Sequence, residues 1–319
     1  MAFVDRAHGR VNPLHSVLRK AILAAADSAR LQRFVRKHGM RLGASHFVAG
    51  ETFYRAAPVL RRLDERGLLT NTTLLGEGVS DEGETRAVVE AYKTLLDHIE
   101  TERLRTNVAL KLTHLGLAFD EELAYVNVGE LVDHARGSRN FVRIDMEESA
   151  YVDPTLRTFR RLRESGRANV GTVLQSYLLR TERDLESLLD LTPNLRLVKG
   201  AYLEPPEVAY PRKEDVDAAY SRLVERLLVA GGFTAIATHD GRLIERAIGF
   251  GNREGIPRER FQFQMLYGVR PKLQLDLVAR GYSVLVATPY GPDWYRYLMR
   301  RLAEQPANLM FVARSLFRR

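Results

Sequence analysis

The 319-residue chain contains no cysteine. That single absence excludes disulfides, thiolate metal sites, iron–sulfur clusters and a cysteine nucleophile. No window holds ~18 uninterrupted apolar residues, so no bilayer-spanning helix is expected. The first ten residues lead into no apolar segment of the signal-peptide kind. A soluble, cytoplasmic protein is therefore expected. Nucleotide-binding loops are missing as well. Gly76-Glu77-Gly78 and Gly249-Phe250-Gly251 both lack the third glycine of a dinucleotide fingerprint, and no Gly-x-x-x-x-Gly-Lys-[Ser/Thr] run exists. The eight histidines include no His-Glu-x-x-His pair, so no metal is expected. What remains is 45% hydrophobic and 28% charged, enough apolar residue for one large domain or two ordinary ones.

The net charge of +8 is unevenly placed. Residues 1–70 hold 13 Lys/Arg against 5 Asp/Glu, and the rest of the chain balances. No nucleic-acid motif and no aromatic-basic interleaving accompanies this excess, so a nucleic-acid partner is not expected. A solvated helical face and contact with an anionic membrane surface both remain open. Apolar spacing in 15–29, 31–38 and 52–65 is helical, with Gly39 and Gly67 as stops. Residues 1–70 thus read as a helical arm packed on a main domain of residues 71–319.

From residue 70 the texture changes. Eight short apolar runs, at 72–75, 108–112, 141–145, 170–174, 195–199, 233–238, 261–266 and 282–287, alternate with helical stretches such as 81–100, 153–165, 182–189, 214–230 and 271–279. Strands apolar on both faces, each followed by a helix, describe a parallel α/β domain. Eight units in some 250 residues favour a TIM-type (β/α)8 barrel over an open sheet.

Such a barrel places its site at the C-terminal strand ends. The runs end in, or carry, Glu77, Lys111, Asp145, Gln175, Arg196 with Lys199, Thr238 with His239, and Gln264. Any one of these alone reads as a solvated loop residue. Arg196 is harder to dismiss, because it falls inside a strand expected to be buried, where a charge must be paired or serve a ligand. A second group lies in 293–304. There Tyr297, Arg300, Arg301 and Glu304 share a helix side, and two adjacent guanidinium groups suit a carboxylate or phosphate. Asp293 is positioned to cap that helix, and Trp294, Tyr295 and Tyr297 suggest a lined pocket. On these residues alone, a barrel enzyme acting on a phosphorylated metabolite and a non-catalytic basic binding protein both stay open.

Several motifs in register carry a resemblance. They are Leu-Gly-Glu at 75–77, Leu-Lys-Leu at 110–112, Ile-Asp-Met-Glu at 144–147, Arg-Leu-Val-Lys-Gly-Ala-Tyr at 196–202, Ala-Thr-His-Asp at 237–240, Phe-Gln-Phe-Gln-Met-Leu-Tyr-Gly at 261–268 and Tyr-x-x-Arg-Arg-x-x-Glu at 297–304. The sequence over about 70–315 resembles the proline dehydrogenase family, including the dehydrogenase domain of bifunctional proline-utilisation enzymes. It looks like the short, monofunctional form.

The resemblance implies a distorted (β/α)8 barrel that binds FAD noncovalently and oxidises L-proline to Δ1-pyrroline-5-carboxylate. A hydride would pass to flavin N5 and the electrons on to a membrane quinone. Asp145 and Arg196 are the implied catalytic positions. Met146, Gln175, Arg196, Lys199, Gly200, Ala201, Tyr202, Thr238 and His239 match cofactor contacts. Lys111, Arg300, Arg301, Tyr290, Leu266 and Glu77 match positions around the substrate, with the arginine pair on the carboxylate and Glu77 partnering an arginine gate. Gly200 would let the backbone approach the cofactor closely. Two departures stand out: Ala287 where family members commonly have Tyr, and Leu203 for a frequent Trp.

Overall fold

The computed structural model describes residues 28–41, 43–76 and 79–304. Most of the helix read at 15–29, together with Glu77, lies outside the described residues. Eight parallel strands form a closed barrel in sequence order: β1 (Leu69–Leu74), β2 (Thr106–Lys111), β3 (Val142–Asp145), β4 (Val170–Gln175), β5 (Asn194–Val198), β6 (Phe233–Ala237), β7 (Phe261–Leu266) and β8 (Val284–Tyr290). The barrel closes where β1 pairs with β8 over six residues, Leu69 opposite Leu285 through Leu74 opposite Tyr290.

Ten helices accompany the described strands. They are α1 (Ala29–His38), α2 (Phe53–Asp64), α3 (Glu82–Thr101), α4 (Glu121–Gly137), α5 (Val152–Glu164), α6 (Thr181–Glu186), α7 (Lys213–Val229), α8 (Gly241–Arg253), α9 (Pro271–Ala279) and α10 (Trp294–Glu304). Local chemistry fixes several of their starts. Asp81 accepts from the Glu84 N–H, and Asp120 accepts from the N–H groups of Glu122 and Leu123. Each carboxylate satisfies donors that the first turn leaves open and sits favourably on the helix dipole.

Strand residues alternate between two unlike environments. Outward residues such as Leu110, Ile144, Leu195, Leu197, Ile236, Phe263 and Val286 are fully buried under the helices and form the core. Inward residues are polar to an unusual degree, with Asn71, Arg143, Arg196, Gln262 and Gln264 buried in the lumen. The barrel is thus apolar outside its wall and hydrogen-bonded within it.

The arm joins this core instead of standing apart from it. α2 buries Phe53, Ala56, Leu60 and Leu63 against β1 and β8. A second apolar cluster sets Ala44, Phe47 and Val48 against Trp294, Tyr295, Leu298, Met299 and Leu302 of α10. Gly39, read as a helix stop, does end α1, but by close approach. A Cβ there would lie 2.5 Å from the Val35 carbonyl oxygen and 2.6 Å from the Trp294 ring.

Candidate active site

The lumen holds a charged pair that spans the barrel. From β5, the buried Arg196 donates through Nη1 to Asp145 Oδ1 of β3 at 2.8 Å and through Nε to Gln264 Oε1 of β7 at 2.6 Å. Its Nη2 lies 3.5 Å from Asn71 Oδ1 of β1, and Asn71 in turn donates to Asn107 at 2.8 Å. Three alternate strands therefore direct side chains onto the guanidinium that a fourth, β5, supplies, the layered arrangement expected of a barrel interior. Burial pulls the Arg196 pKa down and Asp145 opposes that shift. The carboxylate thus offsets the desolvation of the buried guanidinium.

Around this pair stand the other strand ends. Lys111 is the Cα partner of Asp145 across β2 and β3. Met146 follows Asp145 and is buried. Gln175 closes β4, and its buried Oε1 has no hydrogen-bond partner among the described residues. Lys199, just past β5, is held by Asp217 at 2.5 Å and lies 3.9 Å from Asp240. Ala201 is exposed and Tyr202 half-buried in the segment that follows. Thr238 accepts from the Asp240 N–H.

His239 is the most strongly perturbed of the group. Its Nε2 accepts the N–H of Leu266 at 2.9 Å, so the neutral ring carries its proton on Nδ1. Burial, with the nearby charges of Arg301, Arg270 and Lys199, lowers its pKa to about 4. Arg301 of α10 thus lies within electrostatic reach of the strand end that carries His239. Arg300 and Arg301 are half-buried, and the Arg301 guanidinium sits 5.4 Å from the centre of the Tyr297 ring.

A sequence model described as "Proline dehydrogenase" matches residues 56–314. The chain belongs to the proline dehydrogenase family. It is 41% identical over 309 residues to a proline dehydrogenase of Deinococcus radiodurans, covering 96% of this chain and 99% of the relative. With proline dehydrogenase 1 of Bacillus subtilis strain 168 it shares 39% identity over 303 residues, covering 95% and 100%. The bifunctional protein PutA of Escherichia coli is 27% identical over 86% of this chain and 24% of its own. Among solved structures, proline utilization A from Bdellovibrio bacteriovorus superimposes with a TM-score of 0.81 at 23% identity, covering 90% of this chain and 36% of that one.

Several residues singled out in the sequence have neighbours that spacing alone does not reveal. Tyr290 is buried, with its ring 6.2 Å from Phe53 of α2 in edge-on contact. The inward position on β8 belongs to Ala287, opposite Leu266 and partly exposed. Trp294 and Tyr295, read as lining a pocket, pack instead against the arm. Both are buried in the second apolar cluster, and Trp294 Nε1 donates to Glu51 at 2.8 Å. Asp293 pairs with Arg36 of α1 at 3.2 Å. The Glu304 side chain, like Glu77, lies outside the described residues. Gly200 has its own local reasons: its φ is +113°, and a Cβ would lie 2.2 Å from the Tyr177 ring.

Two supports were not singled out from the sequence. Buried Glu147 accepts from both the N–H and the hydroxyl of Thr113, which fixes the turn after Lys111. Asp217 of α7 bridges Lys199 and Lys213. Glu147 ends the 144–147 motif and Asp217 lies outside every motif, and only the fold reveals their partners.

Proposed function

We propose that this family member binds FAD noncovalently at the C-terminal strand ends and oxidises L-proline to Δ1-pyrroline-5-carboxylate, the first step of proline catabolism. A quinone is the proposed final electron acceptor. The observation that carries this reading is the Arg196 guanidinium, buried in the lumen yet held by Asp145 and Gln264. A cation so fixed favours an electron-rich partner at the strand ends.

The residues present fit a flavin. Gln175 offers a buried acceptor without a partner among the described residues, suited to a ring N–H. Lys199, tied to Asp217, and Thr238 are the proposed neighbours just past the ends of β5 and β6. When bound, the flavin supplies a hydride acceptor. The protein's own work is orientation and charge. Arg300 and Arg301 suit the proline carboxylate by forked donation. His239, neutral at physiological pH, offers Nδ1–H as a fixed donor. Lys111 and Asp145 supply polar groups beside the substrate, and Leu266 an apolar wall.

Contact with the membrane is proposed through the basic residues of 1–70. Among the described residues no helix is long and apolar enough to cross a membrane. A cytoplasmic enzyme that meets its quinone at an anionic leaflet fits this reading. The test is optical. Purified protein should absorb near ~450 nm, and the band should fall when proline is added without oxygen. A folded, colourless protein would overturn the flavin assignment.

A further inference from the structure

At the opposite end of the barrel from the Arg196 site lies a cavity of about 500 Å³. Its walls are the entry ends of the strands, with Leu69, Thr106, Asn194 and Phe233 among them. Four of its lining residues are arginines, namely Arg103, Arg105, Arg139 and Arg143, against a single acid, Glu100. Arg105 is already paired with Asp64 at 2.5 Å. Arg103 and Arg139 stand exposed at the rim.

Arg143 lies at depth, only 3% exposed. Its Nη1 donates to the carbonyls of Thr172 and Asn194, each at 2.8 Å, its Nη2 donates to the Asn194 side-chain oxygen, and no carboxylate hydrogen-bonds it among the described residues. Its buried Nε has no hydrogen-bond partner there. Its hydrogen bonds all go to neutral groups, Arg196 repels its charge and only Asp145 offsets it, so a further anion in the cavity helps to compensate this costly buried cation.

The rim arginines carry a second, independent signal. Arg103 and Arg139 have φ values of +51° and +55°. Each directly follows a helix cap, of α3 and α4 respectively, where the Leu104 N–H returns to the Ile99 carbonyl and the Asn140 N–H to that of Ala135. That left-handed position ordinarily belongs to glycine. At two equivalent turns the chain instead keeps an arginine in strained backbone, and both side chains line this cavity.

We propose that the basal cavity is a binding site for a small, multiply charged oxyanion, a dicarboxylate or inorganic phosphate, gripped by Arg103 and Arg139 over the buried charge of Arg143. The planar guanidinium matches paired oxygens of either group. The site is also wired to the lumen. Gln262, on the cavity wall, accepts from Gln264 at 2.9 Å, and Gln264 accepts from Arg196.

Titration calorimetry on the holoenzyme, in phosphate-free buffer at constant ionic strength, tests the site with succinate and with inorganic phosphate. Saturable binding of at least one probe, one per chain, is expected, and the probe that binds identifies the source. In the Arg103→Gly/Arg139→Gly variant affinity should fall at least tenfold while Tm stays level or rises, because glycine removes the backbone strain. Either single variant should show part of the loss. Arg301→Lys, at the other end of the barrel, should leave binding intact. Absence of saturable binding to the wild type, undiminished affinity in the glycine variants, or loss of binding in Arg301→Lys would each overturn the proposal.

Discussion

Arg196 and Asp145 meet at 2.8 Å although their strands, β5 and β3, are not neighbours in the sheet. Their bond crosses the lumen over β4, so each holds the other's strand end in position. Asp145→Ala would leave the Arg196 charge buried with only Gln264 and Asn71 as partners. A loss of about 3 kcal/mol in urea unfolding is expected, at the lower end for broken buried pairs because Asp145 is partly exposed. Arg196→Met should instead act on flavin occupancy or on the rate of flavin reduction, measured by stopped flow. Reduction at wild-type speed would remove the catalytic role.

Arg301→Lys keeps the charge and loses the fork. If the arginine pair grips the carboxylate, KM for proline should rise by about tenfold or more, with the ~450 nm band unchanged. Steady-state assays with an unaltered KM would take the pair out of substrate binding.

Ala287 faces inward opposite Leu266. The aromatic ring next along β8, Tyr290, is occupied with Phe53 and does not fill the space beside it. Weaker discrimination between proline and 4-hydroxyproline is therefore expected than in Tyr-bearing relatives. Ala287→Tyr should restore a factor worth ~1–3 kcal/mol in the ratio of kcat/KM values. An unchanged ratio would mean that the position does not face the substrate.

The His239 ring, with its folded pKa near 4, is held neutral by the fold. The unfolded chain protonates it near pH 6.5. Stability tied to this group is complete above that pH and is lost as pH falls toward 4. Urea unfolding at pH 5 should show about 2 kcal/mol less stability than at pH 7 from this source. His239→Gln keeps an acceptor for the Leu266 N–H and should flatten that part of the profile. If wild type and variant lost stability in parallel, the ring would not be the origin.

Much of the barrel is legible in the chain because its outward wall is apolar. β7 at Phe261–Leu266 and α9 at Pro271–Ala279 fall where the pattern sets them. β1 begins three residues earlier than the apolar run, at Leu69, since Thr70 and Asn71 are polar and still buried. Polar residues inside a hydrogen-bonded lumen leave no hydrophobic trace. β8 runs on to Tyr290 through Pro289, which reads as a turn. The proline lacks only a donor, and its carbonyl accepts from the Ala49 N–H.

The site divides along the same line. Arg196 was conspicuous because a charge in a buried strand demands a partner. Asn71 and Asn107, which help hold it, carry no such signal. Trp294 and Tyr295 misled for a different reason. Helical periodicity shows that residues share a face, yet does not say whether that face meets a ligand or another helix.

The bond from Trp294 to Glu51 joins residues 243 positions apart, and the Ala49 N–H reaches Pro289 across a similar distance. Synthesis proceeds from the N-terminus. Phe47 and Val48 therefore remain without the apolar cover of α10 until that helix has left the ribosome. The helix bearing Arg300 and Arg301 is the last described part to arrive. Closing the barrel through β8 and shielding the nascent arm from aggregation are thus late events, and a chain interrupted before α10 leaves Phe47 and Val48 uncovered.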